Sequence, residues 1–253
     1  AIQRAGKRLE PFRDRVTLVH GNFCDVSDIL DRLGIEAVDG MLFDLGVSSP
    51  QLDEVERGFS YMTDAPLDMR MSQAGKSAAD IVNGYTEKAL ASVILRYGEE
   101  KFADRVAKAI VKARETEEIK TTLQLAEIVS NAIPAKFRRN GHPARKSFQA
   151  IRIEVNGELD VLKNTLPVMF DKLNTGGVMS IITFHSLEDR IVKDYFKTLR
   201  EGCVCPKDFP VCVCGKKPKA IVKSAGIKAS DKELDGNNRS RSAKLRTAMK
   251  IGV

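Results

Sequence analysis

The sequence has no apolar run of about eighteen residues, the length a helix needs to cross a bilayer, and no basic-then-apolar leader. The expectation is a cytoplasmic chain with no membrane partner and with reduced thiols. It contains no internal repeat and no low-complexity tract, which argues against a solenoid or a long flexible linker. Nowhere is there a Gly-x-Gly-x-x-Gly turn of the kind that cradles a dinucleotide. Residues 1 to 9 have helix-forming composition, yet neither an initiator Met nor an N-cap residue opens them, so the chain reads as starting inside an element.

What is present suffices for a folded protein. With 253 residues and 43% hydrophobic content, the chain can bury one good core and a smaller appended domain. Its net charge of +7 is unevenly placed. Residues 1 to 200 carry 29 basic and 29 acidic side chains, and residues 201 to 253 carry 12 basic and 5 acidic. A second basic block, from Lys136 to Arg152, holds six Lys or Arg with no acid between Glu127 and Glu154. Two such patches suit a polyanion such as RNA or DNA, although charge runs also simply face water.

Periodicity gives the architecture. Val16 to Val19 and Ala37 to Leu45 read as strands, with a helix over Val26 to Leu33 between them, and this alternation predicts a parallel sheet covered by helices. After Pro66 only helices follow, with apolar residues at three-to-four spacing in Ala89 to Leu95, Phe102 to Ala113 and Leu123 to Ile133. Residues 70–145 therefore read as a helical insert. A long helix from Phe148 to Met169 returns to the sheet, with a kink or restart expected at Pro167. Then come a strand over Val178 to Phe184, a helix through Leu187 and Leu199, loops from Gly202, and a last strand near Ala243 to Ile251.

The stretch DLGVSSPQLD, Asp44 to Asp53, follows directly on a buried-strand composition. A strand that ends in a carboxylate and enters a Gly-Ser-Ser-Pro turn is where open α/β sheets keep their chemistry. This segment, together with RLEPFRDRVTLVHGNF (Arg8 to Phe23), ERGFSYM (Glu56 to Met62), PLDMRM (Pro66 to Met71), ITFHSLEDRIVK (Ile182 to Lys193) and RSAKLR (Arg241 to Arg246), resembles the bacterial 16S ribosomal RNA cytosine-N(4) methyltransferase family. The resemblance runs in the family's order over essentially the whole chain.

It implies an α/β fold: a Rossmann-like S-adenosylmethionine-dependent methyltransferase sheet, residues 1–69 and 146–253, with an inserted all-helical domain, residues 70–145, for substrate recognition. The substrate would be 16S ribosomal RNA in the small ribosomal subunit, methylated on the exocyclic N(4) of a cytidine. The resemblance also implies that the family's glycine loop and ribose-binding acid precede Ala1, and that a chain starting there binds the cofactor weakly.

The family's cofactor contacts map onto Phe23, Asp44 and Gln51. An aromatic ring at a strand end can pack on adenine, or can simply be core. A strand-end carboxylate can accept from a cationic amine, or can shape a turn. Gln51 can serve adenine or ribose edges, or be solvated. Methyl transfer to an amine conjugated with a ring needs acceptors that localise the nitrogen lone pair as the methyl arrives. Other amino methyltransferases use an acidic or polar residue, two prolines and an aromatic for this. Here Ser48-Ser49-Pro50-Gln51 lacks the second proline and the aromatic, so Asp44, Ser49 and Pro50 are the catalytic candidates and base stacking falls to Phe59 or Tyr61.

His185, between a strand and a helix, is a further catalytic candidate as proton acceptor, with Ser186 as the cap of that helix and Glu188 or Asp189 in its first turn; a structural role fits it equally. For RNA the candidates are Arg138, Arg139, His142, Arg145 and Lys146 in the basic block, Arg190, and Arg239 and Arg241 near Asn237 and Asn238. Cys203, Cys205, Cys212 and Cys214, spaced C-x-C-x6-C-x-C, can wrap one zinc ion, or can be reduced structural thiols. Cys24 reads as a small buried residue. Two rival readings use part of this pattern. A non-catalytic RNA-binding protein with a zinc-ribbon-like tail leaves Asp44 without a role, and a small-molecule Rossmann enzyme leaves the basic blocks unexplained. Nothing in the pattern gives the oligomeric state.

Overall fold

The computed structural model describes residues 2–252 except Gln73, Arg139, Asn140, Lys207 and Ser224. It forms two compact units, Ala1–Leu45 with Asp160–Val253, and Gly46–Leu159.

The first unit opens with α1 (Ile2–Leu9), α2 (Val26–Arg32) and β1 (Val38–Asp44). The second follows with α3 (Ser49–Asp53), α4 (Ala78–Gly84), α5 (Glu87–Gly98), α6 (Ala103–Arg114), α7 (Thr122–Ala132) and α8 (Arg145–Asn156). The first then resumes with α9 (Glu158–Asp171), β2 (Leu173–Thr183), α10 (Ser186–Glu201), β3 (Ala220–Val222), β4 (Ile227–Lys228), α11 (Asp231–Gly236) and β5 (Lys244–Lys250).

The sheet runs β1-β2-β5-β3, with β4 also on β5. β1 and β2 are parallel, Asp44 facing Ile182, but β5 runs antiparallel to β2, β3 and β4. The sheet is thus mixed where periodicity predicted a parallel one. Alternation fixes its faces: Met179, Ile181 and Ala248 turn inward against Leu162, Leu166, Met169 and Phe170 of α9 and Val192, Phe196 and Leu199 of α10. Full burial of rings such as Phe170 and Phe196 contributes roughly 1.5–3 kcal/mol each by transfer. Outward on β1, Leu42 is 69% exposed.

Three expectations are corrected. Val16 to Val19 is extended but not a strand: Leu18 and Val19 are exposed and no ladder takes them up among the described residues. Strand propensity without a pairing partner does not make a strand. The expected long helix breaks at Gly157, which caps α8, while Pro167 lies inside α9. Cys24 is exposed rather than buried, and its thiol donates to Asp25.

In the helical unit α4, α5 and α7 start on polar caps, while α6 and α8 start without a side-chain cap. Ser77 and Asp80 close a capping box on α4, Thr86 accepts from Ala89 N–H on α5, and Thr121 and Gln124 box α7. Behind these caps Ile81, Leu90, Ile94, Val106, Ile110, Leu125, Val129 and Ile151 form a fully enclosed core. Among the described residues no helix is long and apolar enough to cross a membrane.

Candidate functional site

β1 carries Asp44 to the carboxyl end of the sheet, and the ladder ends one residue on, where Leu45 N–H donates to Ile182 O at 3.1 Å. The Asp44 side chain is exposed, and no hydrogen bond or ion pair engages its carboxylate among the described residues. Asn22 Oδ1 accepts from Cys24 N–H at 3.2 Å and starts a short 3-10 turn, Phe23–Asp25. That turn sets the half-buried Phe23 edge-to-face on Phe43, ring centroids 6.3 Å apart, one residue before Asp44. An aromatic surface and an uncommitted carboxylate therefore share one end of one strand. This pairing fits the apolar and cationic parts of a sulfonium nucleoside cofactor.

The turn after Asp44 is a capping box. Gln51 Oε1 accepts from Ser48 N–H at 2.8 Å and Ser48 Oγ at 3.1 Å, while Ser48 Oγ accepts from Gln51 N–H. Gln51 thus has its carbonyl committed locally and keeps only Nε2 as a donor. Ser49 is exposed in the first turn of α3, where Pro50 fixes φ.

At α10 the cap is His185, not Ser186. His185 Nδ1 accepts from Glu188 N–H, and Glu188 Oε2 accepts from Phe184 N–H at 2.8 Å and His185 N–H at 3.2 Å. An Nδ1 that accepts puts the neutral imidazole's proton on Nε2; that atom is buried 3.3 Å from Glu188 Oε1 without making a hydrogen bond. One residue on, Asp189 accepts from Arg246 Nε at 2.6 Å, Arg246 Nη2 at 3.1 Å and Lys244 Nζ at 2.8 Å. Burial pushes the Asp189 carboxyl up, but these cations outweigh it and hold it below the usual carboxylate range. Asp189 with Lys244 and Arg246 is thus a part-buried lock between α10 and β5.

In the helical unit the basic block divides by function. Arg138 donates to Ile133 O at 2.7 Å and Asn131 O at 3.3 Å, closing the end of α7, and Lys146 Nζ donates to Glu99 O at 2.9 Å. His142 stacks on Tyr61, centroids 4.6 Å apart, and its Nδ1 accepts from Ala144 N–H. Arg145 is exposed, with no partner among the described residues, and Arg139 lies outside those residues. Arg190 and Arg239 are exposed, as is Arg241 in the 3-10 turn before β5. Phe59 is buried in the helical core, so of the two expected stacking rings it has no face to offer a base. Tyr61 has one face against His142 and meets Phe148 edge-on.

ERGFSYM and PLDMRM form a clasp that sequence reasoning missed. Arg57 donates to Arg70 O and Met71 O, Arg70 grips Asp68 through Nε and Nη2, and Asn156 bridges Met69 O and Met71 N–H. The Arg70 guanidinium holds the Asp68 carboxyl below the usual carboxylate range. Met69 sits inside at φ +60°, 1% exposed, a backbone state rare for a side-chain-bearing residue and frequent at functional sites. The available signal was Gly58, whose φ of +67° and close approach to Pro66 O leave no room for a Cβ.

Comparison with known proteins agrees with this arrangement. Residues 1–251 match the model of the MraW methylase family. The chain is 53% identical to the ribosomal RNA small subunit methyltransferase H of Clostridium botulinum (strain Kyoto / Type A2), over 99% of this chain and 82% of that protein. It is 52% identical to the protein of that name in Lachnospira eligens, over 99% of this chain and 81% of the other. With the ribosomal RNA small subunit methyltransferase H 2 of Agathobacter rectalis it shares 55% identity, over 97% of this chain and 80% of the other. A match over this much of the chain places it in the MraW methylase family.

Proposed function

We propose that this chain transfers the methyl group of S-adenosylmethionine to the exocyclic N(4) amine of a cytidine in 16S ribosomal RNA of the small subunit, in the cytoplasm. The observation that carries the reading is the exposed, uncommitted Asp44 carboxylate at the end of β1, next in sequence to Phe43, on which Phe23 packs. When bound, the cofactor supplies an electrophilic methyl group on a sulfonium; every other requirement falls to the protein. Phe23 offers its ring to the adenine, Gln51 keeps Nε2 for a polar edge, and Asp44 accepts hydrogen bonds from a cationic or amino group.

Cytosine N(4) is a poor nucleophile because its lone pair is delocalised into the ring. An acceptor on the amine localises that pair, and the nitrogen sheds a proton once it is alkylated. Asp44 at the end of β1 is the acceptor, and Pro50 stiffens the first turn of α3, which carries the exposed Ser49 hydroxyl. His185 acts at one remove, with Nδ1 committed to the α10 cap. The target base has to be unstacked to reach such a site. The helices between residues 70 and 145 recognise the substrate, with Arg145 in the helical unit and Arg190, Arg239 and Arg241 in the sheet unit on phosphates.

Calorimetric titration of S-adenosylmethionine into the chain and into Asp44→Asn tests this. Binding that weakens roughly tenfold to a hundredfold in the variant supports it, as expected for loss of a charge-assisted hydrogen bond. RNA binding without cofactor binding by the parent chain would favour the non-catalytic RNA-binding protein.

A further inference from the structure

The connection between α10 and β3 holds a second site, independent of methyl transfer. Cys212 Sγ lies 3.5 Å from Cys203 Sγ, 3.6 Å from Cys214 Sγ and 4.0 Å from Cys205 Sγ, and Cys214 Sγ lies 3.6 Å from Cys203 Sγ. Four thiolates around one ion at about 2.3 Å have tetrahedral sulfur-to-sulfur edges of roughly 3.8 Å. The separations match those edges. They are far from the ~2.05 Å of a disulfide, and with Cys212 central to all three others no division into two pairs is preferred.

Lys216, Lys217 and Lys219 follow in sequence and offset the negative charge of a four-thiolate site. Among the described residues of this segment no large apolar side chain is buried. Val204, Phe209, Val211 and Val213 all point outward, Val213 at 74% exposure, and regular structure is absent between α10 and β3 among the described residues. Yet the segment closes tightly. Gly202, at φ +65°, lies so near Lys217 that a Cβ would sit 2.3 Å from its carbonyl carbon. A closed, core-less surface loop with four converging thiols needs a crosslink.

We propose that Cys203, Cys205, Cys212 and Cys214 bind one zinc ion through four thiolates, and that the ion holds the α10–β3 connection in shape. Binding displaces the thiol protons and leaves a complex of formal charge −2, with no redox step. Soft sulfur ligands in a tetrahedron select zinc over hard cations such as magnesium.

The chain is purified without a metal-binding tag or chelator, and its metal content and thiols are measured. The expected result is about one zinc ion per chain, no reaction of the four thiols with a thiol reagent until a mercurial releases the metal, and intense tetrahedral thiolate absorption when cobalt(II) replaces it. Cys205→Ser/Cys214→Ser is expected to lose the zinc and to be cut by protease between residues 203 and 217, with the helical unit still protected. Should that variant fail to fold, the cobalt(II) spectrum of the parent chain alone decides. Iron in place of zinc, two disulfides by mass, or four freely reacting thiols in the presence of added zinc would each overturn the proposal.

Discussion

The helical unit and the sheet unit use their polar side chains in opposite ways. In the helical unit Arg57, Arg138, Lys146, Asn83 and Asn156 all donate to backbone carbonyls, and each helix start from α4 to α7 other than that of α6 is capped by a hydroxyl. These groups are structural, whatever their charge suggests. In the sheet unit polar groups are locked around α10 and β5, but at the end of β1 the Asp44 carboxylate stands exposed and uncommitted. Charge in a sequence shows where a group is, and only its partners show whether it is available.

Substitutions that separate structural from available groups sharpen this contrast. The largest effect is expected at Gly58, where Ala would have to hold φ +67° with its Cβ 2.2 Å from Pro66 O. Gly58→Ala should cost about 3–4 kcal/mol in denaturant unfolding of the helical unit; a loss below about 1 kcal/mol would show that the clasp is loose. Asp189→Asn removes the carboxylate that pairs with Arg246, itself only 7% exposed, and should cost about 3 kcal/mol.

The same carboxylate gives a pH signature. Its folded value lies below its unfolded one, so the stability it contributes is complete above about pH 4 and is lost as pH falls through the depressed folded value. Asp68 behaves alike. Melting temperature against pH should therefore fall more steeply below pH ~4 in the parent than in Asp189→Asn.

At Asp44 the ranking inverts, since stability should stay within about 0.5 kcal/mol while methyl transfer drops about a hundredfold or more in Asp44→Asn. A melting curve beside a single-turnover assay reads both. The smallest effects belong to the phosphate-binding candidates. Arg145→Ala and Arg241→Ala should each weaken RNA binding a few-fold and lower the salt slope by about 1 without altering stability. Arg138→Ala should instead lose about 1 kcal/mol of stability along with two backbone contacts.

Periodicity located α5, α6, α7, α10, β1, β2 and β5 because each buries one face against its own unit, and burial is what spacing encodes. It could not give strand direction, so the antiparallel β5 was invisible. Val16 to Val19 failed because a strand depends on a neighbour that local sequence does not name. Asp44 was legible as the end of a strand and the four cysteines as a spacing, whereas the strand expected before Phe23 does not form and Phe23 lies in a 3-10 turn. Asp189 with Arg246 was not, since the two are 57 residues apart in the chain. His185 as a cap was missed because hydroxyl and carboxylate caps are the usual ones, and the adjacent Ser186 drew the assignment.

The most direct measurement is to incubate the chain with small ribosomal subunits and isotopically labelled S-adenosylmethionine, digest the RNA to nucleosides and identify the labelled product by mass spectrometry. The account predicts label in N(4)-methylcytidine, absent with Asp44→Asn. Label on a ring carbon or on another base would contradict it, as would undiminished transfer by that variant.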